Sequence, residues 1–489
     1  MKIKYLPPTI LLITSLLSSC AVNPVTGQQN LVLLSESDEL ALGHKTNQEV
    51  LKQYIVYDNP ALQNYVQNIG LKLAAKSHRS NLNYSFTVLD SKEVNAFALP
   101  GGYIYITRGL MAYLNTEAEL AAVLGHEIGH VTARHSVRQH SASQLANLGA
   151  ALTSIFIPSM TQTSNQLVQF AGGALLSGYG RSHELEADGL GAEYLARTNY
   201  DPEAMLDVIS VLKNQEVFDK EQARSEGREP RNYHGVFSTH PDSDTRLQEV
   251  VATAKNLNSA GTTNFVGKDE YMAHIDNLVF GDSPLEGILR GRNFYHGGLS
   301  FAMRFPEKWN VTNLPDRILL NSVDGNALMQ ISTENNGTTK LSPRDFMIKR
   351  MGLNNLEHEK PLKIHGLQAH TGISVISNEQ GSIPTRFTII YLQDRAYIIA
   401  GMAKGQNGLS KYDNTVLDTA KSFHALTNDE KVLARPYRLK IVPTTGNTRF
   451  SNLAKKSPLE NHAESQLRLL NAKYPAGEPE KGALIKIIK

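Results

Sequence analysis

Two short stretches have residue types and spacing that could do chemistry: His126-Glu127-Ile128-Gly129-His130, and Arg181-Ser182-His183-Glu184-Leu185-Glu186-Ala187-Asp188. Residues four apart on a helix project from the same face, so the imidazoles of His126 and His130 can reach one ion. Zinc accepts neutral imidazole nitrogens, and a catalytic zinc needs a third protein ligand and one open position. Glu184 and Asp188 are also four apart. The spacing assigns Glu184 as the third ligand, and Asp188 as acceptor for the far nitrogen of a liganding imidazole, which fixes its tautomer. Glu186 points elsewhere on that helix. Glu127 sits beside the first ligand and can reach a water at the open position without itself ligating. A zinc-bound water has its pKa lowered toward ~7, and Glu127 can take its proton and pass it to a leaving amine. A solvated acidic helix face is the ordinary explanation of a cluster such as 184–188; the pentapeptide upstream outweighs it.

A third element is Ser238-Thr239-His240-Pro241, followed by Arg246. His240 either binds the oxyanion or fills the fourth zinc position and holds the enzyme closed, and spacing does not separate the two. A surface histidine before a proline turn is the plain alternative. His135, His140, His183 and His234 lack the spacing of the site and read as surface or packing residues.

The elements that must position these groups follow from periodicity. Helical segments begin near Ser35, and Tyr103–Thr107 is a strand entered through Pro100-Gly101-Gly102. A long helix is predicted from Thr116 to about Gln139, with a Thr116/Glu119 capping box and a buried stripe of Leu120, Val123, Leu124, Ile128 and Val131. Another helix covers 182–197 and stops near Asp201-Pro202. Between Arg138 and Arg181 no charge occurs apart from the histidine at 140. Pro158 and the polar run 161–166 break that stretch into pieces too short for a bilayer, so it reads as a buried helix pair or a lid. Residues 219–235 read as an exposed loop. A boundary falls around 281–292, and beyond it come short strand-like runs at 318–322, 386–392 and 396–400, with Trp309 among them.

The fold class expected is α+β. A mainly helical domain with a small sheet spans 37–280, a separate α/β or α+β domain spans 295–430, and a small piece spans 437–489. No repeat of 20–50 residues is evident.

The bulk numbers suit this: 489 residues suffice for two or three cores, and 41% apolar with 20% charged residues is ordinary globular composition. Removing Lys2 and Lys4 with a cleaved leader brings the net charge from +2 to zero, which gives no reason to expect nucleic acid as a partner. Residues 1–19 have the layout of a secretory signal: two lysines, an apolar run, then small residues. Leu17-Ser18-Ser19-Cys20 resembles a bacterial lipobox. Cys20, the one cysteine, would then become the acylated N-terminus of a tether over 20–36 and hold the chain to a membrane. In Gram-negative lipoproteins an Asp after the cysteine resembles an inner-membrane retention signal. Ala21 stands there instead, which favours the outer membrane, facing the periplasm.

Four ordered motifs together resemble the CAAX-prenyl-protease and HtpX-type zinc metallopeptidases of the gluzincin group. They are Asn95 through Tyr103, His126 through His135, Arg181 through Asp188, and Thr239-His240-Pro241 with Arg246. The resemblance covers about 37–280 and is strongest to periplasmic lipoprotein and β-barrel-assembly-enhancing proteases. It implies one zinc per chain with Glu184 as third ligand, and His240 and Arg246 at the cleft. It also implies a strand after Asn95, beginning with Ala96, along which a substrate adds its own backbone. The function implied is endopeptidase quality control of misfolded or misassembled envelope proteins. The β-barrel-assembly relative has a C-terminal tetratricopeptide region that this sequence lacks. Its last piece instead faintly resembles a LysM module (Thr445-Gly446-Asn447-Thr448, then Leu469-Leu470-Asn471, then 482–488), which would imply peptidoglycan as a partner. The alternative function is an envelope chaperone or assembly factor whose zinc site is structural or latched by His240.

Overall fold

A computed structural model describes residues 20–22, 24–27, 29–32, 34–141, 180–226, 264–336, 341–378, 381–405 and 408–489. The chain divides into two compact units: one runs to Phe280 and takes in Tyr437–Lys489, and the other is Gly281–Pro436.

In the first unit, helix α1 (Glu36–Gln53) starts at a capping box in which Ser35 and Asp38 each take the other's backbone N–H. Helix α2 (Pro60–Ala74) follows an Asn59 cap with proline in its first turn. Three strands come next: β1 (Ser85–Leu89), β2 (Ala96–Leu99) and β3 (Tyr103–Thr107). They form a sheet in the order β1-β3-β2, with β1 parallel and β2 antiparallel to β3. Gly101 and Gly102 turn the β2–β3 hairpin at φ +83° and +97°, a region that penalises a Cβ. Helices α3 (Arg108–Tyr113), α4 (Glu117–Thr132), α5 (Arg181–Arg197), α6 (Ala204–Ser225) and α7 (Lys268–Ile275) follow. Every residue of α4 is buried, and Leu120, Leu124 and Ile128 sit in one core with Val66, Leu73 and Leu195. A helix surrounded on all sides must be apolar all round, apart from the few polar groups it presents to a site.

Two expectations change. The predicted helix 116–139 ends at Thr132; Arg134 has φ 57°, and helical residues resume at His135. A side chain other than Gly or Asn is uncommon in that left-handed region. Arg134 is held there by Glu39, whose buried carboxylate receives Arg134 Nε at 2.8 Å and Arg79 Nη1 at 2.6 Å. The loop expected from 219 is helix up to Ser225, with Phe218, Asp219 and Ala223 buried along α6. Its polar composition reflects the solvated face of a helix. The uncharged run lies outside the described residues over 142–179. No helix among the described residues is long and apolar enough to cross a membrane.

Residues 437–489, set apart above as a piece of their own, share the first unit's core. The strand Tyr437–Pro443 pairs with Val279–Phe280 on one edge and with Leu484–Ile488 on the other. Between them lie two short helices, Phe450–Ala454 and Ala463–Leu470. Phe450, Leu467, Leu470 and Ile485 join the same buried cluster as α4. Lys486 is fully buried, and its ammonium donates to the carbonyls of Ala112 and Leu114 at 2.8 Å each, supplying partners at the end of α3.

The second unit is α+β with antiparallel pairing throughout. Its seven-stranded sheet runs in the order 310–313, 317–321, 327–335, 395–403, 381–392, 367–378, 357–364, and the helix Gly408–Lys421 packs on it through Val416 and Ala420. The strand-like runs read from sequence all fall on this sheet.

Candidate metal centre

Helix α4 carries the pentapeptide, and its first turn is fastened before any chemistry is considered. The leading N–H groups of a helix have no internal partner. Here Glu117 N–H donates to Gly267 O at 3.2 Å, Ala118 N–H to Val266 O at 3.0 Å, and Glu119 N–H to Thr116 Oγ1 at 3.0 Å. The Glu119 carboxylate takes the N–H of Asn115 at 2.7 Å, one residue before the position a capping box would use. The Glu117 carboxylate receives the hydroxyls of Tyr65 and Tyr200 at 2.8 and 2.6 Å.

Helix α5 crosses α4 on small residues. A Cβ on Gly129 would stand 2.9 Å from Ala187 O, and one on Gly191 would stand 3.0 Å from His126 N. This contact lets the short Glu184 side chain reach both histidines. On a solvated helix, Gly→Ala would stabilise by about 1 kcal/mol. Gly129→Ala is expected to do the reverse and destabilise by roughly 1–3 kcal/mol, because the added methyl meets backbone that cannot yield. Thermal melts of the two proteins check the sign.

His126 Nε2, His130 Nε2 and the two oxygens of the Glu184 carboxylate converge. The two nitrogens are 3.0 Å apart, His126 Nε2 lies 3.6 Å from Glu184 Oε2, and His130 Nε2 lies 3.5 Å from Glu184 Oε1. Ligands at about 2.0–2.1 Å from a tetrahedral zinc stand about 3.3 Å from one another, so the observed edges bracket what that ion requires. All three side chains are buried, and two neutral imidazoles with one carboxylate make a common donor set of hydrolytic zinc sites.

The far nitrogens are also engaged. His126 Nδ1 lies 2.8 Å from Asp188 Oδ1. With Nε2 turned to the metal position, Nδ1 carries the proton and donates to that carboxylate. His130 Nδ1 lies 2.8 Å from His135 Nδ1, and His135 Nε2 lies 3.0 Å from Glu186 Oε2, which also accepts from Arg138. Sequence reasoning left His135 and Glu186 out of the site. In a continuous helix, residues five apart face different ways; the left-handed Arg134 swings His135 back beneath His130. A polar residue directly after an unexpected helix break would have been the signal. Burial pushes the Glu186 carboxyl up, but hydrogen bonds from His135 and Arg138 outweigh it and bring its pKa down to about 2. Burial lowers the ring of His135, and it lowers His183, stacked on that ring at 4.3 Å, to about 4.

Glu127 and His126 border a narrow apolar pocket whose walls include Ala96, Leu110, Val123, Val208 and Leu212. Ala96 starts β2, which has β3 on one edge and no strand on the other among the described residues. The backbone of Asn95 pairs with Thr107, and its side-chain Oδ1 is buried with no hydrogen-bond partner among the described residues. His240 and Arg246 lie outside the described residues. Cys20 begins a short strand paired with Gln29–Leu31, and 36 is the first residue of α1.

Comparison with known proteins agrees with this geometry. Residues 60–254 match peptidase family M48. The beta-barrel assembly-enhancing protease of Yersinia pestis is 30% identical over 234 residues, 46% of this chain and 45% of that one. The mitochondrial metalloendopeptidase OMA1 of Arabidopsis thaliana is 33% identical over 159 residues, 32% of this chain and 31% of that one. Metalloprotease YcaL of Escherichia coli (strain K12) is 29% identical over 187 residues, 37% of this chain and 68% of that one. The chain thus spans less than half the length of the Yersinia relative.

Proposed function

We propose that the chain is a zinc-dependent endopeptidase of the bacterial cell envelope that cuts misfolded or misassembled envelope proteins, a reading supported by the match of residues 60–254 to peptidase family M48. One observation carries the reading: two imidazole nitrogens and one carboxylate, drawn from two helices, meet at edge lengths that suit tetrahedral zinc. When bound, the ion supplies a Lewis acid and lowers the pKa of a water at its open position toward ~7. Glu127, bordering the same pocket as His126, takes a proton from the attacking water and returns it to the leaving nitrogen. Asp188 keeps His126 in the tautomer whose Nε2 is free to ligate. The family resemblance supports a role for His240 as oxyanion donor or as a closing ligand, and a role for Arg246 in the cleft.

The surroundings support one substrate class. The edge of β2 that carries no strand among the described residues suits an extended backbone added as a further strand, and the pocket beside Glu127 suits an apolar side chain. An extended segment with exposed apolar side chains is what an unassembled envelope protein presents and a folded one hides. Relatives named as beta-barrel assembly-enhancing proteases support the envelope as the place of work. The lipobox at Leu17–Cys20 supports lipid anchoring through Cys20, at the outer membrane, facing the periplasm. The order strand, helix, helix, strand over 437–489 supports a LysM-like contact with peptidoglycan.

The test is cleavage of an outer-membrane protein supplied unfolded or as a folded barrel. The unfolded form is expected to be cut, chelator to stop cutting, and zinc to restore it. Chelator-insensitive cleavage, or equal cleavage of the folded barrel, would refute the proposal.

A further inference from the structure

The two histidines of the pentapeptide are held in different ways. His126 meets a carboxylate directly, Nδ1 to Asp188 Oδ1 at 2.8 Å. His130 meets another imidazole, Nδ1 to Nδ1 of His135 at 2.8 Å. A neutral imidazole carries one proton and one lone pair on its two nitrogens. If His130 turns its Nε2 lone pair to an ion, its proton is on Nδ1 and donates to Nδ1 of His135. His135 must then carry its own proton on Nε2, which lies 3.0 Å from Glu186 Oε2. That oxygen also receives Arg138 Nη1 at 2.9 Å. Donors and acceptors along this line match in one direction only, and it ends on a carboxylate. His135 is completely buried, and the ring of His183 stacks on it.

We infer that His135 and Glu186 are positioning residues for the metal site, relaying carboxylate character to His130 as Asp188 supplies it to His126. The inference rests on the zinc reading above. Groups behind metal-bound histidines fix the tautomer and ring plane and raise donor strength, and losing one lowers metal affinity by about 10- to 100-fold. The site is thereby asymmetric: its first histidine is backed by a charge at first remove, its second by a charge at second remove. Arg134 makes this arrangement possible, because its left-handed turn carries His135 out of the helical path and under His130.

The decisive experiment measures zinc affinity of the purified full chain by competition with a chromophoric chelator. His135→Leu fills the space but cannot accept a hydrogen bond, and should weaken zinc binding about 10- to 100-fold. His135→Gln can accept from His130 through its carbonyl and donate to Glu186 through its amide, and should stay within about threefold of wild type. A role in packing alone would not rank the two this way. Glu186→Ala, altering a partly exposed side chain, should weaken binding several-fold and serves if His135→Leu does not fold. Wild-type affinity in folded His135→Leu, equal losses in the Leu and Gln variants, or an unchanged Glu186→Ala would each overturn the relay while leaving the zinc site intact. A wild-type chain that takes up no zinc overturns the metal reading and the relay together.

Discussion

Replacing Glu127 with Gln is expected to lower kcat/KM on an unfolded substrate by about 10²–10⁴-fold, the range supplied by a positioned general base. The same variant should keep one zinc per chain and the wild-type melting temperature. Glu127 is 2% exposed and borders the pocket beside His126, so its amide isostere fits the same space. What the amide lacks is a basic lone pair. Equal KM with a collapsed kcat is the signature of an interaction made only in the transition state. Metal analysis, a thermal melt and steady-state rates on one preparation check the claim. A variant that still cuts at a tenth of the wild-type rate would remove Glu127 from proton transfer.

Loss of Glu184 should act at an earlier step. Glu184→Ala is expected to weaken zinc binding by more than the roughly 100-fold that removal of a supporting group costs, because it deletes one of the three donors. Proteolysis should fall with zinc occupancy and recover in part when zinc is raised. The stability consequence has an opposite sign in the two forms. Glu184 is fully buried, where Gln replaces a carboxylate with a neutral amide of the same shape. Metal-free Glu184→Gln is therefore expected to melt at or above metal-free wild type. With free zinc a thousandfold above Kd, wild type gains about 4 kcal/mol from binding and should melt well above the variant. Calorimetry with and without chelator reads both comparisons.

Readable from the chain were features that depend on helix pitch alone. Residues 126 and 130, and residues 184 and 188, share helix faces by arithmetic, and the structure brings His126, His130 and Glu184 together. Strand Tyr103–Thr107 and the runs at 318–322, 386–392 and 396–400 were visible because β-branched and aromatic residues cluster between turn signals. Features set by distant residues were not visible. The end of α4 depends on Glu39, far upstream, receiving Arg134. Without that turn nothing places His135 under His130, so its role could not be found from spacing. The continuation of α6 past Asp219 depends on buried Phe218 and Ala223 rather than on its polar face. The docking of 437–489 depends on Lys486 finding two carbonyls near the end of α3. Each of these is a tertiary contact overriding a local pattern.

Anomalous X-ray diffraction at the zinc absorption edge, from crystals of the purified chain, tests the central claim most directly. The account predicts one peak, about 2.0–2.1 Å from His126 Nε2, His130 Nε2 and a Glu184 oxygen, with Glu127 beside it and outside ligating distance. A peak held by other side chains, or none at this position in protein saturated with zinc, would contradict it.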